Sequence, residues 1–127
     1  MCEWFKAFSK VKASLIISPI IRSYNINNEV VKELEGFIRF NAVLINDDNL
    51  EIFLYTTVNG ELEIKKYSVH WQSNDGELRK RWDNAPHHRE IKTFPNHVHI
   101  GRKIYPYEDF DIFKIMKLIE KDIFVDF

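Results

Sequence analysis

Cysteine is nearly missing from this chain of 127 residues. Cys2 stands alone, so no internal disulfide can form and no CxxC zinc motif exists, which points to a reducing compartment. No apolar run approaches the roughly 20 residues of a membrane-spanning helix. The strongest one near the start, "SLIISPII", is broken by Pro19. The N-terminal stretch has no compact apolar run ending in a small-residue cleavage site, so a secretory signal is not expected, and the expected location is the cytoplasm. Internal repeats, low-complexity tracts and linkers are also lacking, and one domain over residues 1–127 is the simplest account. The chain has no HExxH pair, no paired-carboxylate pattern and no nucleophile elbow, so glycoside hydrolysis and acyl transfer find no support.

What is present suits a small globular protein. Hydrophobic residues make up 45% and aromatics 14%, too much for a disordered chain, and the length suffices for a single buried core. A net charge of −1 hides a segregation. Residues 65–103 carry nine Lys/Arg against four Asp/Glu, a local +5, which leaves −6 for the remainder. Four of the five histidines, His87, His88, His97 and His99, lie within "RWDNAPHHREIKTFPNHVHIG", inside that basic part. Such a region attracts phosphate locally.

The patterns predict an α+β fold. Trp4, Phe5, Phe8 and Val11 fall at helical spacing in "CEWFKAFSKVK", a short amphipathic helix. The β-branched run from Leu15 to Asn25 favours a strand, with Pro19 confining it to an edge or splitting it. "EGFIRFNAVLI", "LEIFLYTTV" and "LEIKKYSVHWQ" read as strands joined by the turns "NDDN" and "NG"; "SNDG" turns the chain into "ELRKRWDN", and "FPNHVHI" adds a short strand. In "YEDFDIFKIMKLIEKDI" the acids Glu108, Asp109 and Asp111 are expected in the first turn of a C-terminal helix, with Ile112, Ile115, Met116 and Ile119 as its apolar stripe. The expected architecture is an antiparallel meander sheet with a C-terminal helix and a short N-terminal helix packed on one face.

Strand alternation then sorts the side chains. A two-residue Asp75-Gly76 turn would pair Gln72 with Arg79, His70 with Arg81 and Ser68 with Asp83. Tyr67, Val69, Trp71, Leu78 and Trp82 would share the core face, with Lys80 a misfit that snorkels. Phe94, Val98 and Ile100 would face one side of the last strand. His97 and His99 would face the other, about 7 Å apart along the chain. Ser68, His70, Gln72, Arg79, Arg81, Asp83, His97 and His99 could therefore line one concave polar surface. Uneven register along "LEIKKY" predicts a bulge near Lys65-Lys66.

Two chemistries fit that surface, beside the plain alternative of solvated outward-facing side chains. One is metal binding: His97 and His99 as two ligands, completed by His87, His88 or Asp83, with zinc or another divalent ion as cofactor. The other needs no metal. Cleavage of RNA by its own 2′-hydroxyl requires a base, an acid and cations for the phosphate, which histidines with Arg79 and Arg81 supply. Tyr67, Trp71 or Tyr105 could stack a base if exposed. Asp83-Asn84 before Pro86 either forms an Asx-type turn or, through Asp83, orients a histidine. The connection 85–96 is expected to fold over the site, with Phe94-Pro95 stiffening the approach to the last strand.

"YSVHWQSNDGELRKRWDNAPHH…TFPNHVHIG" resembles the TumE-like family of small prokaryotic proteins, toxin components of type II toxin-antitoxin modules encoded beside a helix-turn-helix antitoxin. The family's Tyr-x-Tyr/Phe-His strand, acidic-Gly turn, Arg-aromatic-Asp-Asn segment, His-His pair and Pro-x-His-x-His motif stand here at Tyr67 to His70, Asp75-Gly76, Arg81 to Asn84, His87-His88 and Pro95 to His99. Trp82 replaces the commoner tyrosine at a core-facing position. The likeness runs over roughly residues 35 to 120, and the first 30 residues carry no signature of it. It implies a toxin held by a cognate antitoxin and directed at RNA. Site roles rest on the strand argument: His70, Arg81, Asp83, His88, His97 and His99 as catalytic candidates, Arg79, Asn84, His87 and Gln72 as binding candidates, and His97, His99 and His87 as ligands if a metal is used. The expected function is metal-independent RNA cleavage. The rivals are a non-catalytic protein- or nucleic-acid-binding regulatory module and a histidine-ligated metal-dependent nuclease. A homodimer is compatible with the sequence, which does not decide the oligomeric state.

Overall fold

The computed structural model describes residues 3–108 and 110–126. Cys2 and Asp109, and the side chains of Trp4 and Phe5 in the expected N-terminal stripe, lie outside the described residues. Helix α1 spans Glu3–Ile17 and helix α2 Ile112–Asp126, at the two ends of a seven-stranded sheet. The strands are β1 (Ile21–Val31), β2 (Glu35–Leu44), β3 (Asn49–Asn59), β4 (Glu61–Gln72), β5 (Leu78–Asp83), β6 (His97–Ile100) and β7 (Lys103–Pro106). They lie in sequence order and every neighbouring pair is antiparallel, the expected meander. Phe8, Val11 and Leu15 of α1 and Ile112, Ile115, Met116, Ile119 and Ile123 of α2 are buried in one core with Ile38, Phe40, Ile52, Leu54, Val69 and Trp82 of the sheet. Both helices therefore cover one sheet face, and the other remains for polar side chains.

Helix α1 runs five residues past the expected stretch, which ended at Lys12, and takes Leu15 to Ile17 from the predicted strand. Spacings of three and four from Phe8 to Val11 to Leu15 keep all three side chains in the core. Burying them outweighs the modest β preference of two isoleucines. The helix ends just before Pro19, which disfavours helix in the residue ahead of it. Pro19 thus sits in a turn outside β1 rather than within a strand, and β1 is an edge strand running on to Val31. Strand β7 was not foreseen: it follows a tight reversal at Gly101, whose φ is 61°, and "KIYP" is too short and mixed to signal itself. The acids expected in the first turn of α2 precede it instead. The carboxylate of Asp111 accepts hydrogen bonds from the backbone N–H groups of Phe113 and Lys114, an N-cap for a helix starting at Ile112.

The hairpin of β4 and β5 positions the site. His70 faces Arg81 and Ser68 faces Asp83, as the pattern predicts. Gln72 pairs with Leu78 rather than Arg79, because the turn is longer than two residues. Ser73 N–H donates to the Glu77 carbonyl at 2.8 Å, and Gly76, at φ 89°, donates to the Ser73 carbonyl at 2.9 Å. The resulting offset leaves Arg79 as an extra residue between Leu78 and Lys80. On the core side Lys80 does snorkel: its ammonium reaches Asp122 of α2 at 2.6 Å. The predicted bulge is at Lys65, which has no partner between Tyr55–Lys66 and Thr56–Ile64. Phe94 is an exposed loop residue, not a core-facing strand residue, and Ile100 is also exposed.

Candidate functional site

Asp83 is the last residue of β5, opposite His97 at the start of β6. Period-two alternation puts Arg81, Asp83, His97 and His99 on the sheet face away from the helices, and the β5–β6 register brings them together as Arg81–His99 and Asp83–His97. The 84–96 loop then folds back and adds His88. The three imidazoles of His88, His97 and His99 meet edge to face, with ring centroids 4.8, 4.9 and 5.6 Å apart and interplanar angles of 72–75°.

The Asp83 carboxylate is only 6% exposed and fully engaged. One oxygen accepts from the Ala85 N–H at 3.0 Å and lies 3.0 Å from His97 Nε2. The other accepts from Arg81 Nε at 2.8 Å and stands 3.8 Å from His99 Nε2. The Asx-type turn read from the sequence is therefore present, and the same carboxylate faces the rings of His97 and His99. His97, 2% exposed, donates from Nδ1 to the Pro95 carbonyl at 2.9 Å. His99 and His88 keep about a quarter of their side-chain surface open, at 25% and 26%. Burial lowers the pKa of His99 from its ordinary value. The Asp83 carboxylate opposes that shift, while His97, His88 and Arg81 add to it.

Arg81 is held at two points, by Asp83 and by His70, whose Nδ1 accepts from Arg81 Nη1 at 3.0 Å. A guanidinium only donates, so His70 carries its proton on Nε2 and donates it to the Gln72 side-chain oxygen at 3.0 Å. Gln72 and His70 thus aim Arg81. That side chain lines both a hollow of about 420 Å³ that includes Asn25, Asn41, Glu51 and His70 and a neighbouring one of about 600 Å³ that includes Phe53, Lys66, Asp83 and Phe94.

Other expected members are elsewhere. Arg79 ion-pairs with the buried carboxylate of Asp48 and lies over the Trp71 ring at 5.7 Å, so it ties the β2–β3 turn to the end of the β4–β5 hairpin. Asn84 fills the Lys65 bulge, accepting from Tyr67 N–H and donating to the Lys65 carbonyl, both at 3.0 Å. His87 is exposed and is not part of the imidazole cluster, where His88 occupies the position expected of it. Tyr67 and Trp71 are buried on the helix side. Tyr105, opposite Val98, is exposed on that same side, so none of the three can stack a base at the polar face. The exposed ring of Phe94 and the half-buried ring of Phe53 border it instead. Asp48 was missed because nothing in "NDDN" beyond turn chemistry marks it; it also accepts from Trp71 Nε1 at 2.9 Å.

A one-faced α+β meander carrying a convergent histidine–aspartate–arginine site beside a basic hollow defines the class. Within it, residues 11–124 match the family described as Toxin TumE, and the chain belongs to that family. The match reaches back to residue 11, so the end of α1 and all of β1 lie within the family's span, which corrects the expected extent of roughly residues 35 to 120. Comparison with curated proteins and with solved structures gave no match. Membership makes the chain the toxin component of a toxin-antitoxin pair, with an antitoxin as its partner. Among the described residues no helix is long and apolar enough to cross a membrane.

Proposed function

We propose that this toxin cleaves RNA at the polar face around Arg81 and Asp83. The observation that carries the reading is Arg81 itself, held by Asp83 and His70 where two hollows meet and flanked by the three imidazoles. A guanidinium so aimed has N–H groups left for a phosphate, whose charge grows on the way to the pentacoordinate state. The substrate supplies its own nucleophile. A base held at the histidine cluster takes the proton of the 2′-hydroxyl, that oxygen bonds to phosphorus, and the bond from phosphorus to the 5′-oxygen breaks. The leaving oxygen takes a proton from water, giving a 2′,3′-cyclic phosphate and a 5′-hydroxyl. Lys65 and Lys66 in the adjoining hollow offer further phosphate contacts, and Phe53 and Phe94 offer ring faces to an unstacked base.

The partner in this reading is a helix-turn-helix antitoxin, and both act in the cytoplasm, where RNA is the target. The −6 outside residues 65–103 suits a basic DNA-binding partner. End-labelled RNA incubated with purified protein is expected to give cyclic-phosphate ends, and Arg81→Ala is expected to slow cleavage about 100-fold or more with the fold retained by circular dichroism. If folded wild-type protein cuts no RNA yet still binds it, the rival reading of a non-catalytic nucleic-acid-binding module takes over.

A further inference from the structure

We infer that His88, His97 and His99, together with Asp83, bind one divalent transition-metal ion of the zinc class. A role for the ion in supplying the base, as a bound hydroxide, rests on the RNA-cleavage reading; the site rests on its own geometry. One ligand atom from each histidine can be chosen so that all lie within 4.8 Å of one another. An ion about 2.0–2.1 Å from each nitrogen, with tetrahedral angles, would hold the ring centroids on the order of 5 Å apart. The observed separations of 4.8, 4.9 and 5.6 Å bracket that spacing, and the rings are turned edge to face about one point.

Hydrogen bonding at His97 points the same way. Its Nδ1 must carry the proton, because the Pro95 carbonyl 2.9 Å away can only accept. In the neutral ring, Nε2 then aims a lone pair at the Asp83 carboxylate 3.0 Å away. Two acceptors in that position require a cation. A proton on His97 would answer for that pair alone and would not explain why His88 and His99 converge on it. A shared ion explains all four groups, and the Nδ1–carbonyl bond is the outer contact that orients a ligating imidazole. Burial of His97 and Asp83 gives the site a rigid back, while the partial exposure of His88 and His99 leaves a side open to water. The positive charge of Arg81 is offset by its own bond to Asp83.

The spacing also weighs against a metal-free acid and base drawn from this cluster. Those two groups must stand on opposite sides of the phosphorus, each within about 2.6–3.2 Å of its own oxygen, hence on the order of 6 Å or more apart. These three converge instead of facing each other across a gap. Imidazole nitrogen suits zinc, copper, nickel or iron(II) and not magnesium.

The test is calorimetric titration of Zn²⁺ into the full chain stripped with chelator, with Co²⁺ absorption as a report on tetrahedral nitrogen ligation. One ion per chain is expected. Because His97 is buried and its loss endangers the fold, the partly exposed ligands carry the test: His88→Ala and His99→Ala should each weaken Zn²⁺ by about 100-fold or more. His87→Ala should leave the affinity within about two-fold, and Mg²⁺ should not bind the cluster. No saturable Zn²⁺ binding by folded wild type, or an affinity unmoved by both ligand substitutions, overturns the site. RNA cleavage that persists in EDTA without Zn²⁺ binding overturns the site and keeps the ribonuclease reading. Tight Zn²⁺ binding with no RNA cleavage keeps the site and overturns that reading.

Discussion

Asp83 is the side chain on which the site depends, because two imidazoles, a guanidinium and a backbone N–H converge on its two oxygens. Removing it leaves the Arg81 Nε–H and the Ala85 N–H without their acceptor and the buried His97 ring without the carboxylate it faces. Asp83→Ala is therefore expected to cost about 3–5 kcal/mol, read from urea unfolding. A cost under about 1 kcal/mol would mean that water replaces the carboxylate freely. At the exposed β4–β5 turn, Asp75 has its pKa lowered from 3.8, first by the bond from Ser73 Oγ and then by the Glu77 N–H. A lowered carboxylate contributes stability that is present above 3.8 and is lost as pH falls through the folded value. Ser73→Ala should move the Asp75 titration back toward 3.8, which carboxyl NMR would detect; an unchanged midpoint would assign the shift to the backbone alone.

At the scale of elements, the β4–β5 hairpin sets which side chains can meet. Gly76 adopts φ 89° at its turn, with open space around a would-be Cβ. Gly76→Ala thus tests backbone strain alone and is expected to cost roughly 1–2 kcal/mol in thermal unfolding. A neutral result would show that the turn relaxes. Helix α1 is fastened by burial rather than by propensity, so Phe8→Ala, at a position 1% exposed, should cost about 3–5 kcal/mol. The same contrast explains what was legible here. Strands β2 to β5 announce themselves by alternation and turn residues, and Lys65 betrays its bulge by breaking that alternation. The end of α1 could not be read from "SLII", because β-branched residues favour a strand until Phe8 and Val11 supply a core for Leu15 to join. Nor could the offset at Arg79, since turn length decides it.

For the whole molecule, a one-sided sheet separates duties: helices and apolar side chains on one face, the site on the other. β5, β6 and the 84–96 loop, which build the site, carry five Lys/Arg (Arg79, Lys80, Arg81, Arg89 and Lys92) against Asp83 and Glu90, a net +3 out of the +5 of the segment 65–103. RNA binding through about three phosphate contacts should weaken on the order of ten-fold between 50 and 200 mM salt, measured by fluorescence anisotropy. Salt-independent binding would remove phosphate attraction from the account.

Alternation and turn chemistry, both local, determined from the sequence alone that His70, Arg81 and Asp83 share the polar face of one hairpin and that His97 and His99 share one face of their own strand, because a strand's period of two needs no knowledge of its neighbours; the β5–β6 register made the two faces one. Only the tertiary structure decided that His88, and not His87, joins them, and that Arg79 and Asn84 do not. Those outcomes depend on how a loop folds back, which buried carboxylate a guanidinium reaches, and where a bulge leaves backbone groups to be filled. Each is a contact between residues far apart in the chain, and periodicity carries no information about such contacts.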